Sequence, residues 1–146
     1  MLDKLKKYES FSFAFDGVLI DDFDGSCNPY KEEMQTLCKE LISKGKKVFL
    51  YTKRYPSNGG SVPKKGTKRN NIEYEVVENF AKELNIIGNV LYSSRNTFYQ
   101  NISEYSDSKH RHCHFDNSDY EIILFRTFRP EVKSINIKDE NWRETL

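Results

Sequence analysis

At 146 residues the chain is long enough to bury one core, and a net charge of +1 argues against a protein that coats nucleic acid over its whole surface. Met1 to Ser10 is lysine-rich and polar, with no apolar run behind it long enough to enter a bilayer; this predicts a cytoplasmic protein with no leader and no membrane span. Cys27, Cys38 and Cys113 are odd in number and unrelated in spacing, which predicts reduced thiols rather than a disulfide framework.

In chain order, Phe11, Phe13 and Phe15 form a β-favouring run that stops at Asp16-Gly17 and is followed by Val18-Leu19-Ile20. This reads as a buried strand entering a turn that carries a carboxylate. Asn28-Pro29 predicts a helix start, with asparagine as cap and proline in the first turn. Tyr30, Met34, Leu37, Cys38, Leu41 and Ile42 share one face of that helix, and Gly45 ends it. Lys47 to Tyr51 reads as a second strand, and Tyr55 to Asn71, rich in Gly, Pro, Ser and Lys, as a loop. A second helix turns Val76, Val77, Phe80, Ala81 and Leu84 inward, with Glu73, Glu75 and Glu78 outward. Asn89 to Tyr92 is a third strand, Phe98 to Tyr105 a short helix and Arg111 to Phe115 a fourth strand. Asp119 to Arg126 is helical, and Val132 to Ile137 an edge strand. Strands alternating with helices predict a single α/β domain over 1–146, its parallel sheet covered on both faces. Ligands in such sheets bind beyond the carboxyl ends of the strands, where Ala14, Asp16, Thr52, Ser93, Ser94 and Asp116 would gather.

Asp16, Gly17, Val18 and Leu19, at the end of an apolar strand, carry a resemblance to a known family. The stretch resembles the first motif of the haloacid-dehalogenase (HAD) superfamily, Asp-x-Asp-Gly-Val/Thr-Leu, except that Ala14 stands where the first aspartate belongs. The resemblance implies a Rossmann-like three-layer sandwich with a mainly parallel sheet, and a parent activity of Mg²⁺-dependent phosphomonoester hydrolysis. It makes position 14 the nucleophile's place and Asp16 the proton donor to the leaving group. A methyl group can neither attack phosphorus nor give oxygen to a metal ion, and acid help worth ~10²–10⁴-fold does not replace a nucleophile. The chain should therefore bind better than it turns over. The favoured reading is a catalytically disabled Asp-to-Ala form, because Asp16, Gly17, Thr52 and Asp116 are all kept. The alternative is a natural pseudoenzyme that binds a phosphorylated ligand or partner. A second register, Asp22-Phe23-Asp24-Gly25-Ser26, holds both carboxylates but has only Val18-Leu19-Ile20 upstream; the acidic run Asp21, Asp22 and Asp24 then reads as a solvated lip.

Further motifs follow from the same resemblance. Thr52, ending the second strand, would hydrogen-bond a phosphate oxygen, with Lys53 beside it as a phosphate-binding cation. Arg95 is the preferred third-motif cation, with Lys65 and Lys109 as lesser candidates. Asp116, ending the fourth strand, would hold Mg²⁺ together with the Asp16 backbone carbonyl, and Asn117 or Asp119 would add a water-bridged contact. His110, His112 and His114 with Cys113 invite a zinc reading, but ligands on one strand cannot wrap a tetrahedral ion; packed or hydrogen-bonded histidines are the ordinary account. The intervals between motifs leave no room for a cap domain. An open site suits a nucleotide, another phosphorylated small molecule or a nucleic-acid end, the last through Lys64, Lys65, Lys68 and Arg69 with Tyr55 nearby. A second copy of the chain could supply a lid.

Overall fold

The computed structural model describes residues 2–54, 67–93, 98–101 and 111–146. Strands β1 (Ser10–Ala14), β2 (Lys47–Thr52), β3 (Val90–Tyr92), β4 (His112–Asp116) and β5 (Lys133–Asn136) form one five-stranded sheet in the order β3-β2-β1-β4-β5. Every neighbouring pair is parallel. Helices α1 (Leu2–Leu5), α2 (Lys31–Ser43), α3 (Thr67–Glu83), α4 (Phe98–Asn101) and α5 (Asp119–Phe128) flank it. The result is a Rossmann-like α/β fold. The chain builds outward from β1 to β3 and then returns to β4, beside β1. Right-handed crossovers therefore set α2 and α3 on one face and α4 and α5 on the other. Strand order reverses between β1 and β4, and that is where such sheets open a crevice.

β1 is buried along its whole length because both faces are covered. Phe11 and Phe13 point to one side, where Phe13 stacks on Phe115 of β4 and Phe115 meets the Trp142 ring edge-on. Ser10, Ser12 and Ala14 point to the other, toward α4 and α5. α2 buries Met34, Leu37, Cys38 and Leu41 as its periodicity predicts. It ends in a Schellman motif: the Lys46 amide donates to the Leu41 carbonyl and the Gly45 amide to that of Ile42, with Gly45 at φ 79°.

Three expectations are corrected. Asn28 does not cap α2, which begins at Lys31. Its amide nitrogen donates to the Val18 and Ile20 carbonyls, and its side-chain oxygen accepts the Tyr30 amide, so it ties the turn after β1 to the approach to the helix. The expected loop of 55–71 runs too far, because α3 starts at Thr67; polar composition masked residues of ordinary helix propensity. Val76 is exposed while Val77 is buried; adjacent helical residues lie about 100° apart, so one of the two must face solvent. The short helix expected to reach Tyr105 is described from Phe98 to Asn101, and the remainder lies outside the described residues. β5 is an edge strand as expected.

Candidate functional site

At the carboxyl ends of β1, β2 and β4 lies a cleft of about 650 Å³ whose lining includes Ala14, Asp16, Lys53, Asp116, Asn117 and Glu121. Sheet register brings these together from distant parts of the chain. Ser12 pairs with His114 and Phe13 with Phe115, which sets the ends of β1 and β4 side by side, while Ala14 pairs with Tyr51 near the end of β2.

Beyond Ala14 the backbone makes one wide turn, closed by the Ile20 amide on the Phe15 carbonyl at 3.3 Å. Gly17 occupies it at φ 79°, and a Cβ there would run into the Asn117 side-chain amide. Asn117 Nδ2 in turn donates to Asp22 Oδ2 at 3.0 Å, which binds the β4 exit to the segment after β1. Asp22, half-buried, lines the cleft, while Asp24 is exposed. Asp21 is tied to the Asn28 amide and to Lys31.

Asp16 is held by Arg54. The guanidinium approaches as a fork, Nη2 to Oδ1 at 2.6 Å and Nε to Oδ2 at 3.1 Å, with side chains only 10% and 16% exposed for Arg54 and Asp16. The carboxylate expected to deliver a proton therefore has both oxygens occupied by donors. Arg54 also lies 5.7 and 5.5 Å from the Phe15 and Phe23 ring centroids, within cation–π range.

Asp116 is buried and fully engaged. Oδ1 accepts the Asn117 and Ser118 amides at 2.8 and 3.0 Å, and Oδ2 meets His114 Nε2 at 2.9 Å. Behind it a chain of short contacts runs under the sheet: Ser10 Oγ to His112 Nδ1 (2.6 Å), His112 Nε2 to Ser12 Oγ (2.8 Å) and Ser12 Oγ to His114 Nδ1 (2.6 Å). Burial drives the His112 value down to about 3, so that ring is neutral. With the His112 ring neutral, each serine hydroxyl and each ring nitrogen along this chain has a partner. The histidines are thus structural partners of two serines and an aspartate, as the ordinary account expects. His110 lies outside the described residues.

Lys53 reaches from the end of β2 across the cleft, its Nζ 3.5 Å from Glu121 Oε1 and over the Phe98 ring. Burial and the neighbouring Asp116 push the Glu121 carboxyl up to about 7. Thr52 is buried, its hydroxyl accepts the Arg54 amide at 3.0 Å, and it is not among the residues lining the cleft. Arg95, Lys65 and Lys109 lie outside the described residues.

Mg²⁺ needs several convergent oxygens. Ala14 offers none, both Asp16 oxygens face Arg54, Asp116 Oδ1 is taken by two amides and Asn117 turns its nitrogen to Asp22. Among the described residues, no group of three or more His, Cys, Asp or Glu side chains is placed to hold a metal ion. The side chains as they stand do not fit a resident Mg²⁺.

Sequence reasoning missed Glu121, the clamp role of Arg54 and the two serines. Only Glu121 left a readable trace, the Ser118-x-x-Glu121 spacing of a capping box. An ion pair across 38 residues leaves none. No protein-family model, curated protein or solved structure matches this chain.

Proposed function

We propose that the cleft binds a phosphomonoester on a hydrolase scaffold of the haloacid-dehalogenase type, and that with Ala14 at the nucleophile's position the chain binds without turning over. The observation that carries this reading is the convergence of Ala14, Asp16, Lys53, Asp116 and Asn117 at the β1–β4 switch point, in the chain order the resemblance implies. Lys53 supplies the cation for a phosphoryl oxygen, and the Thr52 hydroxyl and Arg95 are proposed to assist. In the parent reaction a carboxylate at position 14 forms the bond to phosphorus while the ester P–O bond breaks, and Asp16 protonates the departing oxygen. Mg²⁺ dependence is proposed for that form, in which position 14 restores an oxygen donor. The ligand is a nucleotide, another phosphorylated small molecule or a nucleic-acid end, and the free cysteines suit a reducing cytoplasm.

The Arg54 fork favours a second reading, a protein that only binds. Holding both Asp16 oxygens stabilises the turn and withdraws the proton donor from the chemistry. Phosphate release by Ala14→Asp, beside the chain as it stands, with and without Mg²⁺, separates the two. Metal-dependent turnover confined to the substituted protein is the expected result. No turnover on nucleotides, sugar phosphates or phosphorylated oligonucleotides, with ligand affinity indifferent to Mg²⁺, would leave the binding-only reading.

A further inference from the structure

The hydrolytic reading gives no task to the turn Asp22-Phe23-Asp24-Gly25-Ser26, yet this turn holds a phenyl ring in a fixed place at the cleft. It is closed on itself: the Asp22 amide donates to the Ser26 carbonyl and the Gly25 amide to the Asp22 carbonyl, both at 2.9 Å. Asp22 Oδ1 accepts the Phe23 amide at 2.7 Å, and Asp24 Oδ1 accepts the Ser26 amide at 2.8 Å. The Asn117 amide on Asp22 Oδ2 pins the turn to the exit of β4. Phe23 is nonetheless 53% exposed, and among the described residues it is the one exposed large apolar side chain that lines the cleft. The Arg54 guanidinium lies over its ring, 5.5 Å from the centroid, while forking onto Asp16. A cation thus covers one face of the ring, and the area left to solvent belongs to the other face and its edge.

We infer that the ligand of this cleft is a nucleoside monophosphate, free or at a strand end, whose base stacks on the outer face of Phe23. The inference rests on the phosphomonoester reading and adds to it the group that the phosphate is attached to. At about 650 Å³ the cleft is of a size that holds a whole small molecule, and Phe23 and Lys53 line it together. Every nucleobase has a flat π-face to lay on a phenyl ring, and a sugar phosphate has none. The turn has little to offer the edges of a base, because three of the four carboxylate oxygens of Asp22 and Asp24 already accept hydrogen bonds. The site therefore tells a nucleotide from a sugar phosphate better than it tells one base from another. Purines, with the wider face, gain somewhat more than pyrimidines.

Titration calorimetry of the intact chain with adenosine monophosphate and with ribose phosphate, both esterified at the 5′ oxygen, tests this. The nucleotide should bind at least ~10-fold more tightly. Phe23→Leu keeps apolar bulk without the flat face and should bring the ratio toward one, whereas Phe23→Tyr should preserve it. A 5′-phosphorylated oligonucleotide separates the two sources: affinity at or above that of the free nucleotide, falling steeply with salt, assigns a strand end, and weaker affinity a free nucleotide. Equal affinities for adenosine monophosphate and ribose phosphate in the unsubstituted chain, or a preference undiminished in Phe23→Leu, would overturn the inference and leave the phosphate site standing. If none of these phosphomonoesters binds, the reading beneath it falls as well. The comparison in the unsubstituted chain decides the question even if a variant does not fold.

Discussion

Gly17 is specified twice, by its backbone and by its neighbour. Its φ of 79° disfavours any side chain, and the Asn117 amide fills the space where a Cβ would go. Gly25 has a similar φ of 90° with nothing within 4 Å, so the two glycines separate backbone strain from crowding. Gly25→Ala should lose roughly 1 kcal/mol by denaturant unfolding, and Gly17→Ala about 2 kcal/mol or more, because Asn117 must also let go of Asp22. Equal losses would show that the Asn117 contact contributes nothing. The sequence marks Gly17 as a turn residue, but its pairing with Asn117 joins the segments that follow two different strands and has no local signature.

At the scale of elements, the unusual feature is the polar face of β1 and β4. Alternation in Ser-Phe-Ser-Phe-Ala and His-Cys-His-Phe-Asp predicts two buried strands, and both are buried throughout. It gives no hint that the serines and histidines become one another's partners, since that depends on register: Ser10 opposite His112 and Ser12 opposite His114. Ser12 is the centre of this chain and serves both rings. Ser12→Ala should therefore destabilise by roughly 2–3 kcal/mol, more than Ser10→Ala, which strands a single nitrogen. Nitrogen chemical shifts at neutral pH should report His112 as a neutral ring; an imidazolium there would show that burial does not hold it uncharged. The same chain fixes the Asp116 carboxylate, so the floor of the cleft is set by packing beneath it.

For the whole molecule, two buried groups pull stability in opposite directions with pH. His112 takes a proton near 6.5 when unfolded and only near 3 when folded, so the unfolded chain holds more protons between those values and stability falls as pH drops through them. Glu121 behaves oppositely: its carboxyl rises from 4.5 to about 7 on folding, so its contribution is present below 4.5 and is lost as pH rises toward 7. The slopes cancel where the windows overlap. Thermal unfolding should show a plateau between about pH 4.5 and 6.5, with Tm falling steeply on the acid side and mildly up to about pH 7. Glu121→Gln should abolish the mild fall and keep the acid one. A profile that is unchanged by that substitution would mean that Glu121 does not titrate in the folded protein.

Much of the architecture follows from the sequence alone. Apolar runs with period two, helical faces with period near four and glycines at turns are local signals, and they predict the alternation of strands and helices, the parallel sheet and the edge position of β5. They also direct attention to the strand ends where Ala14, Asp16, Asp116 and Asn117 line one cleft. Local signals fail where a residue has more than one partner to choose from. Asn28 can cap a helix or clamp a turn, Glu121 can cap a helix or face a cleft, and Asp16 can await a substrate or hold an arginine. Each choice turns on which hydrogen-bonding partner stands nearest in space: the Val18 carbonyl as acceptor, the Ser118 amide already given to Asp116, and Arg54 brought over from the end of β2. Those distances exist only once β1, β2 and β4 lie side by side, so the tertiary structure, and not the sequence pattern, decided what each polar group in the cleft does.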